Sequence, residues 1–143
     1  MMVLVDTSVW SLALRRKGTD LSSEEKETRE ALRELVQDGR AQIVGAVRQE
    51  LLSGIRVEEA FRKVRDTLRA FDDPQLAVED YEEAARMNNV CRARGIAGSS
   101  VDFLICAVAH LRNWQVFTTD RDFRRYVKVL PLKLYLLSSA NPG

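Results

Sequence analysis

Residues 1–10 read MMVLVDTSVW. An apolar run, Val3–Val5, stops at the carboxylate of Asp6, and two hydroxyl residues and an apolar pair follow. So short an apolar run reads as a buried strand, and Thr7–Arg16 continue with helix-like spacing until Lys17-Gly18-Thr19-Asp20 breaks it. A strand passing straight into a helix is the first half of a βαβ unit. Asp6 at the junction is either the cap of that helix or the first piece of an acidic site. The stretch alone does not decide.

Outward from this stretch the same alternation repeats. Ser22 or Ser23 can cap a helix that turns Ala31, Leu32, Leu35 and Val36 inward and ends at Asp38-Gly39. Ala41–Val44 is a second strand candidate, followed by a helical Ala46–Ser53 stopping near Gly54. Val57, Phe61, Val64, Leu68 and Phe71 recur at three- and four-residue steps, which is an amphipathic helix closed by Asp72-Asp73-Pro74. Gln75–Val78 is a third, short strand candidate. Tyr81, Ala84, Ala85, Asn88 and Cys91 mark one face of the next helix, and Gly98-Ser99-Ser100 introduces another with Val101, Leu104, Ile105 and Val108 along one side. Gln115–Phe117 and Lys133–Leu136 complete the strands. The expectation is α/β: a three-layer α/β/α sandwich around a central, mainly parallel sheet of four to five strands. Residues 1–140 form one domain, and 141–143 read as a loose tail.

The totals suit this. A chain of 143 residues, 45% hydrophobic and 30% charged, is the size and composition of one folded domain. The formal charge of +1 argues against a broadly basic nucleic-acid coat and leaves room for local basic patches. Cys91 and Cys106 show neither zinc nor disulfide spacing, and His110 stands alone, so a metal here would need oxygen ligands. Asp102 and His110 interrupt the longest apolar region, and the N-terminus lacks a basic leader, so no membrane span or signal peptide is expected. The chain reads as cytoplasmic.

Four acids occupy telling places. Asp6 follows VLV, Asp120 follows VFTT, Asp102 lies in the first turn after Gly98-Ser99-Ser100, and Glu50 lies one turn into the helix after the second strand. In open parallel sheets the carboxyl ends of strands line one rim, where a crevice forms at a switch in strand order. Each acid also has a capping or solvated-face explanation. The apolar neighbours of Asp102 and Glu50 favour partial burial, however. Two carboxylates ~4 Å apart repel by roughly 4 kcal/mol at an effective dielectric of 20, so a buried cluster calls for protonation or a cation. With no thiolate or imidazole nearby in sequence, hard Mg²⁺ or Mn²⁺ is the natural partner.

Four blocks in order, VDTSVW, QELLSG, SSVDFLICAVA and FTTDRDF, resemble PIN-domain ribonucleases, most closely the VapC-type toxins of toxin–antitoxin pairs. The resemblance covers nearly the whole chain. It implies an acidic quartet at Asp6, Glu50, Asp102 and Asp120, with Asp122 a possible fifth acid. It places orienting hydroxyls at Thr7 or Ser8 and at Thr118 or Thr119. It further implies Mg²⁺- or Mn²⁺-dependent hydrolysis of RNA to 5′-phosphate and 3′-hydroxyl ends, inhibition of translation, a homodimer, and a VapB-type antitoxin that inserts a segment into the active-site groove. Arg121, Arg124, Arg125 and Lys128, which start beside Asp120, are candidate phosphate contacts; Arg15, Arg16 and Lys17 form a second basic cluster. Trp10 and Trp114 either stack on bases or belong to the core.

Two rival readings stay open. A non-catalytic RNA-binding or dimerisation module would use the same acids merely as caps. An aspartyl-phosphotransfer enzyme also places an aspartate after its first strand, but a phosphatase of that kind wants a second acid at the position held by Ser8.

Overall fold

Three parallel strands set the frame in the computed structural model, which describes residues 1–137. β1 (Val3–Val5) lies between β2 (Ala41–Gln42) and β3 (Gln115–Phe117), giving the order β2-β1-β3. Val3 pairs with Ala41 on one side and with Gln115 on the other, and Val5 pairs with Phe117. All of β1 is buried, as a central strand covered on both faces must be.

Helices α1 (Thr7–Leu14), α2 (Ser23–Gln37), α3 (Gly45–Ser53), α4 (Glu58–Leu68), α5 (Val78–Ala93), α6 (Ser100–Arg112) and the short α7 (Asp122–Tyr126) flank the sheet. α1 packs on α2 and α3, α5 packs on α6, and α6 reaches both β1 and β3. Local chemistry explains several boundaries. Ser22 and Glu25 form a reciprocal capping box that starts α2: Ser22 Oγ accepts from Glu25 N at 3.1 Å, and a Glu25 oxygen accepts from Ser22 N at 3.0 Å. After α2 the chain reverses through Gly39 at φ 69°, a conformation that side chains with a β-carbon rarely adopt. Trp10 is a core residue whose Nε1 donates to Val5 O at 3.1 Å and whose ring meets Phe71 edge-on. That excludes it as a platform for bases. Trp114 is half-buried beneath the guanidinium of Arg112.

The parallel, helix-flanked sheet matches the expectation, but its width does not. Four to five strands reduce to three among the described residues. Gln75–Val78 forms no strand because side chains claim its backbone: Arg112 donates to Gln75 O at 3.3 Å, Ala77 N donates to Asp80 at 2.8 Å, and α5 begins at Val78. Lys133–Leu136 touches β3 through a single parallel bridge, Val116 with Leu134. The pairing goes no further among the described residues, since β3 itself ends at Phe117. The inward face of α5 is also offset: Asp80, Met87 and Cys91 are buried while Tyr81 is 57% exposed. The tail anticipated at Asn141-Pro142-Gly143, with the boundary at residue 140, lies outside the described residues. No helix among the described residues is long and apolar enough to cross a membrane.

Candidate active site

The strand order places the site. From the central β1 the chain runs first to β2 on one side and later to β3 on the other. The crevice expected at such a switch opens at the carboxyl ends of β1 and β3. Asp6 leaves β1 there, and Thr118, Thr119 and Asp120 leave β3 beside it. The pairing of Val5 with Phe117 brings the two exits together, and Asp6 N donates to Phe117 O at 2.9 Å.

Asp6 occupies the N-cap position of α1 but is 5% exposed, and its Oδ2 is held by two hydroxyls. Ser8 Oγ and Thr118 Oγ1 each donate to it at 2.8 Å. Both hydroxyls are oriented in turn by backbone donors, Thr119 N to Ser8 Oγ and Asp120 N to Thr118 Oγ1, each at 3.0 Å. The relay from N–H to hydroxyl to carboxylate thus runs through Ser8 and Thr118. Thr119 contributes its main chain, and the buried Thr7 Oγ1 has no hydrogen-bond partner among the described residues.

Asp102 enters from α6. Ser99, the N-cap, accepts from Asp102 N at 3.1 Å, which fixes the first turn. Asp102 Oδ2 accepts from the Tyr126 hydroxyl at 2.6 Å. Asp120 is held by a bond from Asp122 N to its Oδ1 at 2.9 Å. Asp102, Asp120 and Asp122 each bring a carboxylate oxygen into one group within 4.8 Å of one another.

The electrostatics follow from burial and like charge. Burial raises the Asp6 carboxyl above its usual 3.8, against the lowering effect of the Thr118 and Ser8 hydroxyls. Burial also raises Asp102, helped by the charges of Asp6 and Asp120 and opposed by the hydroxyls of Tyr126 and Ser99. Burial first, and then the bond to Asp102, push the Tyr126 phenol up, so it keeps its proton and donates.

The donor set is oxygen only. Cys91 and Cys106 are buried free thiols, and burial raises Cys106 far from thiolate formation. His110 is exposed at the other end of α6 from Asp102. Clustered carboxylates without imidazole or thiolate suit Mg²⁺ or Mn²⁺, so the residues present fit such an ion. An almost fully buried Asp6, with one oxygen taken by two hydroxyls, does not present the accessible nucleophile that aspartyl phosphotransfer needs.

The remaining candidates fall as follows. Glu50 stands exposed on α3 and is not part of the three-carboxylate group. Asp122 pairs with Arg125 at 2.9 Å, which engages one of the four candidate RNA-binding cations. Arg121, Arg124 and Lys128 are exposed and make no ion pair among the described residues. Arg16 is tied to Glu25 at 2.5 Å, leaving less of the Arg15–Lys17 cluster for phosphates. The residue missed from sequence is Tyr126. Its spacing from Phe123 reads simply as core, and the one available signal is that a buried phenol needs a partner.

Comparison with known proteins agrees with this fold. The family model for the PIN domain matches residues 3–129. No curated protein matches the chain. Among solved structures, FitAcB from Neisseria gonorrhoeae superposes with a TM-score of 0.73 at 17% identity, covering 94% of this chain and 97% of that one. VapBC2 from Rickettsia felis, solved bound to a promoter DNA fragment, gives 0.71 at 16%, covering 94% and 98%. A toxin–antitoxin complex from Klebsiella pneumoniae gives 0.62 at 17%, covering 85% and 89%. At these identities the structures testify to the fold, and the family model spans nearly all of it. With the acids gathered where the strand order switches, the chain belongs to the PIN-domain family.

Proposed function

We propose that this chain is a Mg²⁺- or Mn²⁺-dependent endoribonuclease and the VapC-type toxin of a type II toxin–antitoxin pair, inhibiting translation by cutting RNA. The observation that carries the reading is the convergence of Asp102, Asp120 and Asp122 within 4.8 Å on a PIN fold, beside a buried Asp6. Asp6, Glu50, Asp102 and Asp120 form the proposed catalytic and metal-holding set, with Asp122 as an additional ligand. Bound there, the ion supplies Lewis-acid stabilisation of phosphate charge and a more acidic water. The chain's own part is to hold the acids ionised and oriented, through Ser8 and Thr118 at Asp6. Arg121, Arg124 and Lys128 contact RNA phosphates, and Arg125 joins them when Asp122 turns to the ion.

The likeness to VapBC and toxin–antitoxin structures supports a VapB-type antitoxin as partner; a homodimer acting in the cytoplasm belongs to the same proposal. Incubating purified protein with total RNA in Mg²⁺, Mn²⁺ or EDTA, and sequencing the new 5′ ends, tests the activity. Cleavage dependent on the ion and leaving 5′-phosphates is expected. RNA that binds but stays whole under every ion would make the chain a binding module of the same fold.

Metal binding has its own readout. An ion that binds only the folded state at 100 times its Kd adds about 2.7 kcal/mol, on the order of 8 °C for a chain of this size. Mn²⁺ is expected to raise the melting temperature of the wild type by that order and to leave Asp102→Asn unmoved. Equal shifts in both proteins would place the ion elsewhere.

A further inference from the structure

We infer that Tyr126 is a positioning residue, holding Asp102 Oδ2 so that the other carboxylate oxygen is presented to a divalent cation; the inference rests on the metal-site reading above. The phenol belongs to α7 and the acid to α6, so the 2.6 Å bond fixes one element against the other at the site. That length falls in the range of hydroxyl donation to an ionised carboxylate.

The hydroxyl has little freedom to do otherwise. Tyr126 is fully buried, and its ring lies between Phe103 and Phe123 with centroids 5.1 Å away in each case. Gly98 closes the slot: a β-carbon there would overlap the Tyr126 hydroxyl and come within 2.8 Å of Phe103. Glycine at 98 is therefore required by the close approach of the phenol. A phenol locked this way fixes the angle of the carboxylate it holds, which is the role of groups behind metal ligands.

The competing account is that Asp102 merely satisfies a buried phenol and Tyr126 is a core residue. The accounts part on Tyr126→Phe, which keeps the ring and deletes only the donor. Mn²⁺ affinity is measured on the full chain from the free-ion EPR signal, and melting is measured in EDTA. Positioning by Tyr126 weakens Mn²⁺ binding by about 10-fold or more, the scale for losing an orienting partner, with the EDTA melting temperature within a few degrees of wild type. Gly98→Ala, which drives a methyl group into the same hydroxyl, weakens Mn²⁺ binding likewise and decides the matter if the Phe variant does not fold. Wild-type Mn²⁺ affinity in the folded variants overturns the inference while leaving the metal site standing. Absence of Mn²⁺ binding in the wild type, matched by Asp102→Asn, overturns the metal reading and this inference with it.

Discussion

Asp102→Asn should lower metal-dependent RNA cleavage by roughly 10³-fold or more, and Asp6→Asn should do the same. Asparagine keeps the shape and an acceptor oxygen but removes the charge that holds the cation. The several kcal/mol of charge stabilisation that the ion supplies then goes, at ~1.4 kcal/mol per factor of ten. The fold should not suffer. Ser99 still accepts from the backbone N–H at 102, and Tyr126 can donate to an amide oxygen. Burial raises both carboxyls above 3.8, so the folded state binds protons more tightly than the unfolded one. Stability contributed by these groups is therefore present at low pH and lost as pH rises through their raised values. In EDTA at neutral pH the Asn variants should melt no lower than wild type, and their advantage should shrink as pH falls toward 4. Undiminished cleavage in both purified variants would remove the acids from the chemistry.

Arg112→Met should lower stability by about 3 kcal/mol. Arg112 grips Asp80 with two nitrogens at 2.6 and 3.1 Å, donates to Val108 O and Gln75 O, and stands over Trp114. The Asp80 side chain is only 3% exposed. Stripping a buried carboxylate of its partner costs about 3–5 kcal/mol, and the lower end applies because Arg112 is itself 23% exposed. Arg112, with help from Ala77 N, holds the Asp80 carboxyl below its usual value against the effect of burial. Its contribution is therefore full above about 3.9 and is lost as pH falls through the lower folded value. Urea unfolding at neutral pH should show the whole gap between wild type and variant, and the gap should narrow in strong acid. Asp80→Leu combined with Arg112→Met should recover much of the loss, since no unpaired charge remains. A single-variant loss under ~1 kcal/mol would mean the pair is solvated.

Where the sequence could be read correctly, the physics was local. A serine cap at Ser22 or Ser23, a helix start at Gly98-Ser99-Ser100 and a stop at Asp38-Gly39 act across at most a few positions, and the structure then chose Ser22 with Glu25, Ser99 and Gly39. The strand that ends at Asp6 was legible because an apolar run buried on both faces differs plainly from its polar flanks. Asp102 and Asp120 were legible for a related reason: strand and helix ends are where a parallel sheet exposes its crevice. The sequence by itself thus determined the helix-flanked parallel sheet and the places of Asp6, Asp102 and Asp120 at the ends of its elements.

Other features depended on partners far along the chain. Tyr126 reaches Asp102 across 24 positions, Arg112 reaches Asp80 across 32, and Thr118 reaches Asp6 across 112. Nothing within three or four residues of either end signals such a bond. The same is true of the width of the sheet. Gln75–Val78 looks extended until Arg112 takes its carbonyl, and Lys133–Leu136 looks like a strand but meets β3, which ends at Phe117, through one bridge. Only the tertiary structure decided that Ser8 and Thr118, rather than Thr7 and the Thr119 side chain, hold Asp6. It also grouped Asp122 with Asp102 and Asp120 while leaving Glu50 exposed on α3. The reason is that a carboxylate's partners depend on which elements meet around it, and packing settles that after local signals have set where each element begins and ends.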